Sequence, residues 1–289
     1  MSDRPSPAPS LSAAATVAAG RLAAAGIERA EAEARLLVTA AAGRSLEFLA
    51  IHPEAALSLS QSAALDALVR RRVSREPLPY LLGEAEFYSL PFRVTPAVLV
   101  PRPETEVLVE EVVAGARSRG AKLAFEVGTG SGVVAVVLAR EVPGLHVVAA
   151  DISLQALSVA RENCRRHGVT DRVSLLCGDL LASISGQADC IAANLPYVRS
   201  DEFDRLEPEV RDFEPRSALD GGADGLRELR RLSVQLAAHL SPGGLVGLEV
   251  GAGQAGEVAK LLAAGGLSRV EVVPDLAGID RVVIGWRER

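Results

Sequence analysis
From residue 122 onward, short apolar runs alternate with stretches whose apolar residues recur at helical spacing. The runs Leu123–Val127, His146–Ala150, Val173–Cys177, Ala188–Ala193, Leu245–Val250, Val270–Val273 and Arg281–Gly285 are candidate strands, and helical segments separate most of them. This alternation predicts an α/β fold: a doubly wound, mostly parallel seven-stranded sheet with helices on both faces. The last two runs follow each other without a helix between them, so one of them is expected to run antiparallel.

The N-terminal part has a different texture. Residues 11–75 are rich in Ala, Leu, Glu and Arg, with apolar positions such as Ala30, Ala34, Leu37 and Val38 at helical spacing and breaks near Gly26, Gly43 and His52-Pro53. They predict a small helical bundle with no cluster that suggests chemistry of its own. At Pro77 the pattern changes again. Phe87-Tyr88-Ser89-Leu90-Pro91-Phe92-Arg93-Val94 suggests two short strands around a turn. Val100-Pro101-Arg102-Pro103-Glu104-Thr105-Glu106 then gives an extended approach to a helix whose start suits Glu104 and Glu106. The expected organisation is a helical domain over residues 1–75, a hairpin linker over 76–105 and an α/β domain over 106–289.

Composition narrows the function classes. The 289 residues are 48% hydrophobic and 24% charged with a net charge of −6, a globular profile that lacks the basic footprint of a nucleic-acid binder. Cys164, Cys177 and Cys190 are spaced 13 residues apart, far from zinc or redox spacing, and are expected as buried, reduced thiols. The histidines His52, His146, His167 and His239 are scattered, so no metal is expected. The Pro- and Ser-rich start from Met1 to Ser10 does not have the pattern of a signal peptide, and no apolar run is long enough to span a bilayer. A cytoplasmic protein is the expectation.

Candidate chemistry collects at the ends of the predicted strands. The first strand runs into Gly128-Thr129-Gly130-Ser131-Gly132 and then a helix, a loop whose backbone can turn tightly and approach a ligand at a helix N-terminus. It is not a dinucleotide fingerprint, because the third glycine comes one position early, and it has no phosphate-loop lysine. Asp151 ends the second strand, 23 residues after Gly128, where a carboxylate could accept ribose hydroxyls. Asp179 and Leu180 follow the third strand, where a base would lie. Taken singly, Asp151 is as well explained as a helix cap and Asp179 as a solvated turn. In register with the glycine loop they point to a cofactor site.

The fourth strand ends in Asn194-Leu195-Pro196-Tyr197, which resembles the Asn-Pro-Pro-Tyr motif of methyltransferases acting on exocyclic amines or side-chain amides. An amide nitrogen is a poor nucleophile because its lone pair is delocalised. Acceptors on both its N–H bonds, here the Asn194 side chain and the Leu195 carbonyl, fix its position and push density onto nitrogen. In that family an aromatic ring, here Tyr197, packs on the flat group. Leucine replaces the usual proline at 195 but keeps the carbonyl, and Pro196 biases it toward extended backbone.

Further motifs carry a more specific resemblance. Glu76-Pro77-Leu78-Pro79-Tyr80-Leu81-Leu82-Gly83, Glu86-Phe87-Tyr88, Pro101-Arg102-Pro103-Glu104-Thr105-Glu106 and Phe213-Glu214-Pro215-Arg216-Ser217-Ala218-Leu219 resemble the bacterial release-factor glutamine methyltransferases, PrmC or HemK, over the chain from about residue 20. The resemblance implies a class I, Rossmann-like methyltransferase using S-adenosyl-L-methionine, with S-adenosyl-L-homocysteine as product, on the glutamine of the release-factor Gly-Gly-Gln loop. Carried over, Gly128, Thr129, Gly130, Ser131, Gly132, Asp151, Asp179, Leu180 and Asn194 would bind the donor. Asn194, Leu195, Pro196 and Tyr197 would bind and activate the glutamine, and the N-terminal domain would help dock the release factor. The family usually has an aromatic residue where Leu180 stands. Three other readings remain open: a ribosomal-protein glutamine methyltransferase, a nucleic-acid exocyclic-amine methyltransferase, and a donor-binding protein that has lost catalysis.

Overall fold
The computed structural model describes residues 9–288; the Pro- and Ser-rich positions 1–8 and Arg289 lie outside the described residues. Contacts divide the chain into two compact units, one running to Gly83 and joined by residues 208–213, the other holding the rest. Among the described residues, no helix is long and apolar enough to cross a membrane.

The first unit contains α1 (Leu11–Ala24), α2 (Ala30–Ala42), α3 (Leu46–Ile51), α4 (Leu59–Val73) and the single turn α5 (Leu78–Leu82). Local chemistry sets their ends. Ser10 accepts from the Ala13 N–H, Ser58 and Gln61 form a reciprocal capping box, and Gly43 closes α2 in the left-handed conformation. The face that carries Ala30, Ala34, Leu37 and Val38 is buried with Leu22 and Leu57, as the periodicity predicts.

The second unit starts with a hairpin, β1 (Glu84–Phe87) and β2 (Leu90–Arg93), which begins three residues and ends one residue ahead of the predicted segment. Tyr88 and Ser89 form its turn at φ 54° and 56°, the paired positive values that suit a two-residue hairpin, although neither residue is a usual turn signal there. Then follow α6 (Thr105–Arg119), β3 (Leu123–Val127), α7 (Val133–Glu141), β4 (His146–Asp151), α8 (Leu154–Arg166), β5 (Val173–Cys177) and β6 (Ala188–Ala193). The chain next supplies α9 (Pro208–Phe213) to the first unit and returns with α10 (Arg227–His239), β7 (Leu240–Glu249), α11 (Ala255–Ala264), β8 (Leu267–Pro274) and β9 (Asp280–Arg287).

The seven strands lie in the order β5-β4-β3-β6-β7-β9-β8. The expected antiparallel strand is β9, and it sits between β7 and β8, pairing antiparallel with both. Strand order reverses at the β3–β6 pair. Ligands in such sheets bind beyond the carboxyl ends at this switch point. Cys164 and Cys190 are buried as expected, but Cys177 is exposed, because it ends the edge strand β5.

Within the first unit, α9 is held by charge. The Arg72 side chain, 7% exposed, donates from Nε to Glu33 at 2.6 Å and from Nη1 to Glu209 at 2.9 Å, while Arg75 reaches Glu209 at 2.8 Å. Burial works against the Arg72 charge, but the two carboxylates outweigh it and hold its pKa above the usual value. Removing one partner of such a network leaves buried charge uncompensated. Arg72→Ala is therefore expected to lower the stability of this unit by about 3–5 kcal/mol in urea unfolding, and a loss below about 1 kcal/mol would show that the network is energetically neutral.

Candidate active site
Beyond the carboxyl ends of β3, β4, β5 and β6 lies a cavity of about 340 Å³, within the size range of small-molecule sites. Its lining contains Gly128, Thr129, Gly130, Ser131, Asp151, Asp179, Leu180, Asn194, Leu195 and Pro196. Of the predicted donor residues only Gly132 is absent from that lining. It is the N-cap of α7 at φ 82°, packed so tightly that an added Cβ would lie 3.1 Å from that of Ala160. Gly128, at φ 76°, packs on the tetrapeptide, where a Cβ would come within 3.1 Å of the Leu195 side chain. The loop is thus pinned on both sides and bare at Gly130, where nothing lies within 4 Å of the missing side chain.

A carboxylate inside the fold also holds this loop. Glu126, the fourth residue of β3, is 3% exposed and accepts from the Thr129 hydroxyl at 2.7 Å and from the Ala135 N–H. It thereby serves a first-turn amide of α7 that the glycine N-cap cannot reach with a side chain. Asp151 accepts from the Gly130 N–H and the Ser153 N–H, both at 2.8 Å. It does not cap α8, because Ser153 does so by accepting from Ala156. Asp179 pairs with Arg231 of α10 at 2.5 Å, and Leu180 lines the cavity from a left-handed backbone position, φ 52°, that leucine rarely adopts. Such strain is typical of ligand sites.

Asn194 donates from Nδ2 to the Thr105 hydroxyl at 3.1 Å. Tyr197 does not share the cavity lining. It faces a neighbouring hollow with Gln254 and Arg281, and its hydroxyl lies 3.5 Å from Glu249 Oε1. Its backbone carbonyl accepts from Gln254 Nε2 at 2.9 Å, and Gln254 Oε1 accepts from the Gly251 N–H. Burial, with the charge of Glu249 added, pushes the Tyr197 phenol up to about 12, so it stays protonated as a donor. Arg102 and Glu214 join the two proline-rich motifs in one ion pair at 2.5 Å, and Glu214 also accepts from the Val100 N–H at 3.1 Å. Burial raises the Glu214 pKa despite that partner.

Two family models match the chain: the PrmC N-terminal domain over residues 13–83 and the methyltransferase small domain over residues 103–206. A release factor glutamine methyltransferase of Geobacter sulfurreducens is 42% identical over 92% of this chain and 93% of its own length. One from Moorella thermoacetica is 43% identical over 92% and 95%. The chain belongs to the release factor glutamine methyltransferase family. A methyltransferase structure from Pyrococcus furiosus, 18% identical with a TM-score of 0.54 over 78% of this chain and 98% of that one, has the same fold.

In this member of the release factor glutamine methyltransferase family, the leucine of the tetrapeptide is 4% exposed and belongs to the buried core that also holds Val127, Leu180 and Val250. Core packing therefore holds the position where the resembled motif has a proline ring. Sequence reasoning missed Thr105, Glu249, Gln254 and the α10 residues Arg227, Glu228 and Arg231, which line the cavity or brace the tetrapeptide. One signal was available for Glu249, a lone acid one residue before the end of the apolar run Leu245–Val250, as Glu126 is in the run Leu123–Val127.

Burial raises the Glu126 pKa from 4.5 to about 8, with a smaller contribution from Asp151 and an opposing one from Thr129 and Ala135. Across that window the folded chain keeps a proton that the unfolded chain has released, so Glu126 subtracts stability as pH rises. Glu126→Gln is expected to become more stable relative to the parent between about pH 5 and about pH 8 in urea unfolding. An equal difference at both pH values would show that Glu126 ionises normally.

Proposed function
We propose that the chain methylates the side-chain amide nitrogen, N5, of the glutamine in the Gly-Gly-Gln loop of peptide chain release factors in the cytoplasm. The observation that carries this reading is the shared cavity: the glycine loop with Asp151 on one side and Asn194, Leu195 and Pro196 on the other. The cradle fits S-adenosyl-L-methionine, since Gly130 leaves room where a side chain would protrude and two carboxylates, Asp151 and Asp179, border the cavity. When bound, the donor supplies a methyl group already activated on a sulfonium, and S-adenosyl-L-homocysteine is the product. Gly128 to Ser131, Asp151, Asp179, Leu180 and Asn194 would hold it.

The chain's own task is positioning. Asn194 Oδ1 and the Leu195 carbonyl accept the two N–H bonds of the glutamine amide, turning the nitrogen toward the donor and strengthening its lone pair. Tyr197 braces the turn from outside the cavity, by way of Glu249 and Gln254. No strong base is required, because methylation makes the nitrogen acidic enough to lose its proton to water. The first unit would help dock the release factor.

Incubation with labelled donor and purified release factor, followed by peptide mapping, is expected to put the methyl group on the Gly-Gly-Gln glutamine. Label on a ribosomal protein or on nucleic acid instead would overturn the assignment. Asn194→Ala is expected to reduce turnover by roughly 100-fold or more while donor affinity falls far less, since the glycine loop, Asp151 and Asp179 still hold the donor but the acceptor at the reacting centre is lost. Wild-type turnover in that variant would remove the two-acceptor mechanism. Leu195→Pro is expected to keep activity, because the carbonyl survives the substitution; complete loss would show that the acceptor lies elsewhere.

A further inference from the structure
Thr105 and Glu249 are both buried, 3% and 1% exposed, and both adjoin the tetrapeptide without belonging to it. Thr105 opens α6, and Glu249 ends β7, whose Leu248 pairs with Ala193 immediately before Asn194. The Thr105 hydroxyl interacts with the Glu249 carboxyl and accepts from Asn194 Nδ2 at 3.1 Å. The Tyr197 hydroxyl approaches Glu249 Oε1 at 3.5 Å, while Glu249 Oε2 is buried without a hydrogen-bond partner. A buried carboxyl short of donors draws the protons of the hydroxyls around it.

A threonine hydroxyl has one proton. Once that proton is turned toward Glu249, only lone pairs remain for Asn194, which must then present its NH2 group to Thr105. The amide oxygen is left as the acceptor for a ligand. The opposite flip would place N–H groups against the substrate's own N–H groups, two donors facing each other, and the nitrogen could not be held. We propose that Glu249, acting through Thr105, is a positioning pair that fixes the orientation of the Asn194 amide, so that Oδ1 rather than Nδ2 meets the substrate nitrogen. This rests on the glutamine-methylating reading and deepens it.

The pair acts on orientation, so its loss strikes kcat more than donor binding. Thr105→Val keeps the shape and removes the hydroxyl. It is expected to lower kcat roughly 10- to 100-fold, the cost of one misdirected buried hydrogen bond, with donor affinity and thermal midpoint close to the parent. Thr105→Ser, which restores the hydroxyl, is expected to recover most of that loss. Above about pH 7, where Glu249 is ionised and can only accept, Glu249→Gln still donates as well as accepts, so both amide flips become allowed and kcat falls while KM for the release factor holds. In nitrogen-resolved NMR, the Asn194 side-chain amide protons exchange slowly in the parent and faster in Thr105→Val. Parent-like kcat in both Thr105→Val and Glu249→Gln, or an equal loss in Thr105→Ser, would overturn the proposal. If the parent chain itself methylates no glutamine, the functional reading fails before any variant is measured, so the two failures are distinct.

Discussion

In the parallel register of β3 against β6, Val127 lies opposite Ala193, so the chain leaves both strands at the same height. The residues that follow are Gly128 on one side and Asn194 on the other, and they are pressed together, with the Leu195 side chain against the α face of Gly128. This single pairing brings a loop suited to a polar cofactor beside a turn suited to a planar amide. Everything else at the site supports one of these two loops. Asp151, one strand over, holds the Gly130 amide, and Gln254 beyond β7 holds the Tyr197 carbonyl. A parallel sheet does this well because its switch point opens a crevice where adjacent loops diverge to opposite faces.

Two buried acids show what that support costs. Glu126 and Glu249 stand near the ends of apolar strands, 3% and 1% exposed, and burial raises both pKa values, to about 8 and about 7. A carboxyl in such a place subtracts stability unless hydrogen bonds satisfy it. Glu126 is served by Thr129 and Ala135, whereas Glu249 keeps one unpartnered oxygen. Each fastens the loop beside it, the glycine loop in one case and the tetrapeptide in the other. An apolar residue would pack better at either position and would leave the loop without a fixed partner.

The sheet strands that carry the site were legible because buried parallel strands read as short apolar runs, and four of the predicted runs coincide with β3 to β6 to within one residue. Their carboxyl ends were legible for the same reason. The place of β9 was not, since the order of strands at the edge of a sheet depends on pairing across distance and leaves no local mark. The transfer of α9 to the first unit was hidden too. Glu209 meets Arg72 across 137 residues, and charged residues in a helix usually signal a solvated face. The hairpin was displaced because Tyr88 and Ser89 adopt positive φ without the glycine or asparagine that normally announces it. Thr105 was quoted only as part of a motif, because a hydroxyl becomes informative only when its acceptor and donor are both known.

Leu195 bears on how a turn can be made rigid. A proline at that position would restrict the backbone directly, lowering the entropy lost when the carbonyl is aimed. Leucine lacks that restriction, yet its side chain sits in the core with Val127, Leu180 and Val250, and Pro196 limits its backbone from the other side. Burial of a leucine is worth about 1.5–3 kcal/mol, which exceeds the backbone entropy that a proline substitution typically saves, about 0.4–1 kcal/mol. Packing can therefore replace the ring without loss of aim. The condition is that Gly128 stays a glycine, because the space its missing side chain leaves is the space the Leu195 methyl group approaches.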